Sequence, residues 1–436
     1  MSETGIATGA TAPQKTPWGA VFLFCLLFFI FGFVTWLNGP LITFVKLAFN
    51  LSDVDAFLVP SVFYLSYFFL SLPSAFILRK TGMKRGMALG LLVMGIGAAC
   101  FGQFATMRIF EGALTGLFII GAGLSILQTA ANPYISVLGP IESGAQRIAV
   151  MGIFNKFAGF LAPILVGTYI LHGVGGLEAE VKAATDPAVR DAILNSFAAR
   201  IHTPYMVVAA FLALMAVATW FSPLPAIGDD ANPSSGKSTG GAIVQMLFGF
   251  FAIFTYVGVE VMAGDAITTY GNSFGMPLDQ TKFFTSFTLV AMLVGYVVGL
   301  ITIPRFISQE RYLILSAILG IILTAGAFFT KGFPSVLFVA ALGFANAMMW
   351  PAIFPLGIRG LGKLTEFGGA LLVMGIAGGA VIPWLFAYLK ESMDFQLVFV
   401  ILMVPCYAYI LIFGLIAGRE GKAAADARTK ASAAEF

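Results

Sequence analysis

Charge is what this sequence has least of. Of its 436 residues only 24 are Lys or Arg and 21 are Asp or Glu, 10% in all, where a soluble domain carries about 25%. An ordinary water-soluble enzyme is excluded by that figure. Histidine is almost as scarce: His172 and His202 both stand where an apolar run ends, so imidazole catalysis and His-rich metal centres have no material to work with. The three cysteines, Cys25, Cys100 and Cys406, lie singly inside apolar runs. They offer neither a disulfide framework nor zinc-ligand spacing and read as small core residues. There is no phosphate-cradling Gly-x-x-x-x-Gly-Lys loop and no acidic or His cluster, so ATP-driven work by this chain alone is not expected, nor any metal or other cofactor. The net charge of +3 is spread between apolar segments and gives nucleic acid nothing to hold. Up to Thr16 the amino terminus has no basic stretch ahead of a small-residue cleavage site, and a removable signal peptide is not expected.

Apolar side chain is what the sequence has instead. Hydrophobic residues reach 59%, with 44 Phe, and the mean hydropathy is +0.94. No soluble core of this length could hide so much, so the solvent is lipid. Apolar runs long enough to cross a hydrocarbon layer of about 30 Å lie near 18–45, 53–78, 87–106, 111–138, 147–171 and 202–221. A polar stretch containing Asp229, Asp230 and Ser234 follows, and then six more runs lie near 243–270, 280–304, 312–330, 334–358, 367–389 and 395–417. The expected fold is all-α, with twelve transmembrane helices in two six-helix halves. Its expected parts are a tail over 1–17, a first half over 18–221, a linker over 222–242, a second half over 243–418 and a tail over 419–436.

Lys and Arg accumulate on the cytoplasmic side of short loops. Arg79, Lys80, Lys84 and Arg85 follow run two, Arg305 and Arg311 follow run eight, and Arg359 and Lys363 follow run ten. Simple alternation puts all three loops, the linker and both termini in the cytoplasm. Gly173 to Arg200, with an Ala-rich helical stretch, then lies at the outer surface.

Two copies of a six-helix unit should show matching residues at a fixed offset. Gln128-Thr-Ala-Ala-Asn132-Pro133-Tyr-Ile135-Ser-Val-Leu138-Gly139 in run four and Asn346-Ala-Met-Met-Trp350-Pro351-Ala-Ile353-Phe-Pro-Leu356-Gly357 in run ten share Pro, Ile, Leu and Gly at an offset of 218. Gln128 then corresponds to Asn346.

Polar groups inside a span are costly in lipid, and each is a candidate for function beside the plainer role of an interhelical hydrogen bond. In run one, Trp36, Asn38, Gly39 and Pro40 interrupt the apolar sequence and predict a broken or kinked helix. Gln128 and Asn132 share a helical face at a spacing of four, as do Asn346 and Trp350. Amides with an indole suit a polyol, whose C–H face stacks on a ring while its hydroxyls need fixed donors and acceptors. Run five carries Asn155 and Lys156 deep in apolar surroundings, where an ammonium needs a carboxylate, a carbonyl or a wet cavity unless its stem snorkels to the surface. Run seven holds the central carboxylates, Glu260 and Asp265, with Tyr256 one turn before Glu260 and flanking glycines that allow local unwinding.

The layout resembles the major facilitator superfamily. Leu37-Asn38, Gln128-Thr-Ala-Ala-Asn132-Pro133, Tyr256-Val-Gly-Val-Glu260-Val and Pro351-Ala-Ile-Phe-Pro355 are similar to its fucose:proton symporter family, nearest the glucose/galactose branch. The resemblance implies uptake of a monosaccharide across the bacterial inner membrane by alternating access, coupled to H+ or Na+, in a monomer. A sugar uniporter and an exporter of small amphiphiles are the alternatives, and an enzyme is not expected, since no nucleophile and base are arranged together. Two departures stand out. In the fucose transporters an Asp follows the Asn of run one and a Glu precedes the Thr-Ala-Ala-Asn-Pro of run four, whereas here those places hold Gly39 and Gln128. Coupling then falls to Glu260 first and Asp265 second, against Lys156. Trp36, Asn38, Gln128, Asn132, Asn155, Tyr256, Asn346 and Trp350 form the expected sugar site.

Overall fold

The structure, a computed structural model, describes residues 18–137, 144–222, 224, 240–303 and 305–434. The expected tail over 1–17 and most of the expected linker over 222–242 lie outside the described residues, as does the side chain of Asn132. All regular structure among the described residues is helical. Eleven helices are long and apolar enough to cross a membrane, and a bent pair makes a twelfth.

The spans are α1 Val21–Ala48, α2 Asp53–Thr81, α3 Met83–Thr106, α4 Phe110–Ala131, α5 Ile148–Tyr169 and α7 Gly240–Gly264, with α6 at His202–Phe221 between the last two. They continue as α8 Leu278–Thr302, α9 Gln309–Phe329, α10 Phe333–Asn346 plus Met349–Gly357, α11 Phe367–Leu389 and α12 Phe395–Arg419. Helix is the form lipid requires, because every backbone polar group is then satisfied within its own segment. Side chains left exposed on the spans are those lipid accepts, among them Phe22, Leu214, Val217, Leu315 and Ile322.

Two local expectations are corrected. The break in α1 is slight: only Leu37 separates Trp18–Trp36 from Asn38–Ala48, and it keeps right-handed helical angles of φ −68° and ψ −23°. Pro40 sits in the first turn of the second segment, where its missing N–H costs little. In α7 the glycines around Glu260 do not unwind the helix, which runs unbroken to Gly264; the interruption comes at Asp265–Ala266, before a short helix over Ile267–Ser273. Beyond α12 the chain stays helical through Ala434. Run ten is bent by 40° between its two segments, and the bend falls between Asn346 and Trp350, which therefore do not share one continuous helical face.

The stretch after α5 forms two helices, Val174–Ala183 and Pro187–Ala199. The second starts where Asp186 caps Ala188 N–H and Pro187 occupies the first turn, a favoured pair of start signals. Arg108 ties this helix to the bundle, donating to Asp191, Asn195 and the Ala48 carbonyl.

The halves meet along α5 with α8 and α2 with α11. At the membrane end that carries the α1–α2 and α11–α12 turns, polar contacts join them. Lys390 Nζ pairs with Asp53, which Lys46 also approaches. Lys282 Nζ donates to the Leu171 carbonyl at 2.9 Å, and Gly175 N–H donates to Asp279 at 3.3 Å.

Candidate functional site

A cavity of about 90 Å³ lies between the halves, lined by residues of α1, α2, α4, α5, α7, α8, α10 and α11. Phe28, Phe31, Tyr64, Tyr67, Tyr256, Tyr296 and Trp350 give it aromatic walls, and Thr35, Gln128, Asn155, Lys156 and Glu260 supply its polar groups.

At its centre Lys156 Nζ of α5 donates to Glu260 Oε1 of α7 at 2.8 Å. The expected need of Lys156 for a partner is thus met by a carboxylate, and the side chain does not snorkel. Tyr256 Oη, one turn earlier on α7, donates to the same Oε1 at 2.8 Å, while the Lys156 ammonium stands 4.6 Å from the centroid of the Trp36 ring, within cation–π range. Ion pair, phenol and indole thus form one unit that spans the halves. Its side chains are about nine-tenths buried, so removing one charge leaves the other stranded in low dielectric. Gly264 permits the indole to sit there, since a Cβ at that position would overlap the Trp36 ring.

The cavity walls also carry polar atoms with no hydrogen-bond partner among the described residues: Thr35 Oγ1, Trp36 Nε1 and Gln128 Oε1. Buried polar atoms are normally satisfied, and a group left unmatched in the empty protein is available to a ligand. A hydroxyl-bearing ligand would supply both the acceptor that Trp36 lacks and the donor that Gln128 lacks. Trp350 stacks on Phe354 with centroids 5.5 Å apart and lies 6.5 Å from the Tyr256 ring, forming part of the cavity's aromatic wall.

Of the expected site residues, Trp36, Gln128, Asn155, Lys156, Tyr256, Glu260 and Trp350 come together around this cavity. Asn38, Asn346 and Asp265 are not among its lining residues. Asn346 is fully buried and its Oδ1 accepts from Tyr407 of α12 at 2.8 Å. Asn38, 1% exposed, and Asp265, 0% exposed, lie at the other end of the α1–α7 contact, where Tyr64 Oη of α2 donates to Asp265 Oδ2 at 3.3 Å. Sequence reasoning missed Thr35, Tyr64, Tyr67 and Tyr296. The available signal was that Tyr64 and Tyr67 share a face of an apolar span at a spacing of three. Among the described residues no group of His, Cys, Asp and Glu is placed to hold a metal ion.

Comparison with known proteins agrees with this architecture. The sequence profile of the Major Facilitator Superfamily matches residues 24–374. A glucose/galactose transporter of Brucella abortus is 31% identical over 415 residues, 94% of this chain and 97% of the relative. The L-fucose-proton symporter of Escherichia coli is 28% identical over 400 residues, 90% of this chain and 91% of the relative. Among solved structures, a major facilitator transporter, FucP, in the outward conformation is 28% identical and superposes with a TM-score of 0.74, covering 91% of this chain and 98% of that one.

Proposed function

The chain belongs to the Major Facilitator Superfamily, and from there we propose that it is a secondary active transporter that imports a monosaccharide by alternating access, driven by H+ or Na+. Relatives spanning nearly its whole length are named as transporters of glucose and galactose and as a fucose-proton symporter, which supports the substrate class and supports transport rather than catalysis. The observation that carries the reading is the wall of the cavity, where unmatched Trp36 Nε1 and Gln128 Oε1 stand in a pocket walled by Trp350 and Tyr256. Hydroxyls of a hexose such as glucose, galactose, mannose or N-acetylglucosamine satisfy the amides and the indole N–H, and its C–H face lies on Trp350. Asn132 and Asn155 extend the amide set, and Asn38 and Asn346 act on it from behind the wall.

Coupling belongs to Lys156, Glu260 and Asp265. Lys156 and Glu260 come from different halves, so the separation of the halves and the state of this pair are linked. If a cation tightens sugar binding, sugar tightens cation binding by the same factor. The protein works as a monomer in the bacterial inner membrane with both termini and the Arg79–Arg85 loop in the cytoplasm, which makes the Asp53–Lys390 end the outer one.

The test is uptake of a labelled hexose panel into proteoliposomes under an imposed proton gradient and then a sodium gradient. Uphill accumulation of one hexose with one ion is the expected result. Equilibration without accumulation would make the protein a uniporter. Silence for every hexose would overturn the sugar reading in favour of an amphiphile exporter.

A further inference from the structure

Two buried carboxylates, Glu260 within α7 and Asp265 just past its end, stand in unlike electrostatic settings. Glu260 has a counter-charge in Lys156 at 2.8 Å and a second donor in Tyr256. Asp265 is fully enclosed and has no ion-pair partner among the described residues. Its Oδ2 accepts one long hydrogen bond from Tyr64 Oη, the Gly39 N–H lies close to the carboxylate, and its Oδ1 has no full hydrogen bond. Asn38, next to Gly39 on α1 and close to the Tyr64 hydroxyl, has neither its amide oxygen nor its amide nitrogen in a full hydrogen bond. On α8, Thr285 Oγ1 donates to the Gly264 carbonyl at 2.8 Å, which leaves its lone pairs open. A Cβ placed on Gly39 would stand 2.7 Å from Thr285 Oγ1 and 3.2 Å from Asp265 Oδ1, so both oxygens converge on the same edge of α1.

A buried carboxylate without a counter-charge is unfavourable until something positive neutralises it. Here the surrounding groups are a carboxylate, an amide oxygen and two hydroxyls, all hard oxygen donors. They gather where α7 ends, beside the Ala263 and Gly264 carbonyls that Thr288 and Thr285 hydroxyls already engage, and an interrupted span is the setting in which transporters hold small cations. We propose, on the reading of the chain as a cation-coupled transporter, that Asp265 with Asn38, Tyr64 and Thr285 is the seat of the coupling cation, sodium or a proton. The Lys156–Glu260 pair is then the tie between the halves and not the cation's seat. Four elements meet at the site: α1 brings Asn38 and Gly39, α2 brings Tyr64, α8 brings Thr285, and the interruption after α7 brings Asp265. The other charged groups acting on Asp265 are Glu260 on α7 and Lys156 on α5.

The site is testable without any sugar. Trp36, two residues from Asn38, is the reporter; the chain holds five tryptophans, so its fluorescence is taken as the difference between the purified full chain and its Trp36→Phe variant. One arm titrates sodium against potassium at constant ionic strength; the other titrates pH from 5 to 8 in choline. Wild type gives a saturable response to sodium in the first arm or to protons in the second, which identifies the ion. Asp265→Asn weakens that response at least tenfold, whereas Glu111→Gln, which removes an exposed carboxylate in the first turn of α4 and retains Asp265, still shows it. Asp265→Glu restores a response with altered midpoint, which separates loss of the site from loss of the fold. An Asp265→Asn protein that responds as wild type does, an equal response to potassium and sodium, or a wild-type protein silent in both arms would each overturn the proposal. Failure of the sugar reading shows separately, as absence of hexose counterflow by the wild-type protein whatever the cation titration gives.

Discussion

Gly39 and Asp265 claim one place from opposite halves: a Cβ on residue 39 would stand 3.2 Å from Asp265 Oδ1 and 3.4 Å from its Cα. The acid that the fucose symporters carry after the Asn of their first span has no room here, and a carboxylate from α7 fills the position instead. Gly39→Ala must therefore push α1 away from α7, at a cost of about 1–3 kcal/mol. The expected result is a lower thermal midpoint in detergent. Since the closest contact would be Thr285 Oγ1 at 2.7 Å, Gly39→Ala combined with Thr285→Ala recovers part of the loss. An unshifted midpoint in the single variant would show that the α1–α7 contact is looser than this.

The Lys156–Glu260 pair predicts a thermodynamic cycle. Lys156→Met and Glu260→Gln each strand a polar or charged partner, and the loss for breaking a buried pair is about 3–5 kcal/mol. The double variant leaves no unmatched charge and should be more stable than the Lys156→Met single variant, with a coupling energy of at least about 1 kcal/mol. Thermal unfolding of the four proteins measures it, and additive losses would mean that the pair contributes little.

Gln128 separates affinity from stability. Its Oε1 has no partner in the empty protein, so Gln128→Leu removes no hydrogen bond made by that oxygen and should leave the thermal midpoint nearly unchanged. The same substitution removes an acceptor from the ligand, and the KM for hexose should rise about tenfold, equivalent to ~1.4 kcal/mol. A fall in stability with unchanged KM would reverse the assignment.

The contacts between Asp53 and Lys390 predict that the two halves separate at that end during transport. With Cys25, Cys100 and Cys406 replaced by Ala, cysteines at positions 53 and 390 joined by a short bifunctional thiol reagent should abolish uptake. Either cysteine alone, treated in the same way, should leave it. Uptake by the bridged protein would place the moving gate elsewhere.

Much of this molecule was legible because lipid imposes one rule over about 20 residues at a time. The span positions and the candidacy of Lys156 and Glu260 follow from where polar residues and prolines interrupt apolar runs. Pairing was not legible. Lys156 and Glu260 are 104 residues apart, and no local pattern tells a lysine in one half which carboxylate in the other it will meet. Asn38 and Asn346 show the second limit. Helical periodicity fixes which residues share a face, but the rotation of a helix about its own axis is set by packing against its neighbours. Packing turns Asn346 toward Tyr407 and Asn38 toward the α7 break. The tyrosines of α2 were passed over because a phenol in an apolar span reads as bulk until a buried carboxylate such as Asp265 is found against it.

The charges of Lys156 and Glu260 cancel within a single hydrogen bond, while Asp265 has no such companion. With a cation on Asp265 the moving parts carry no net charge across the membrane. Without one they carry a single negative charge. A full crossing of one charge is worth ~2.3 kcal/mol per 100 mV, and a negative interior drives that charge toward the outer face. On the proposal that Asp265 seats the cation, voltage resets the unloaded protein and the loaded stroke proceeds without it.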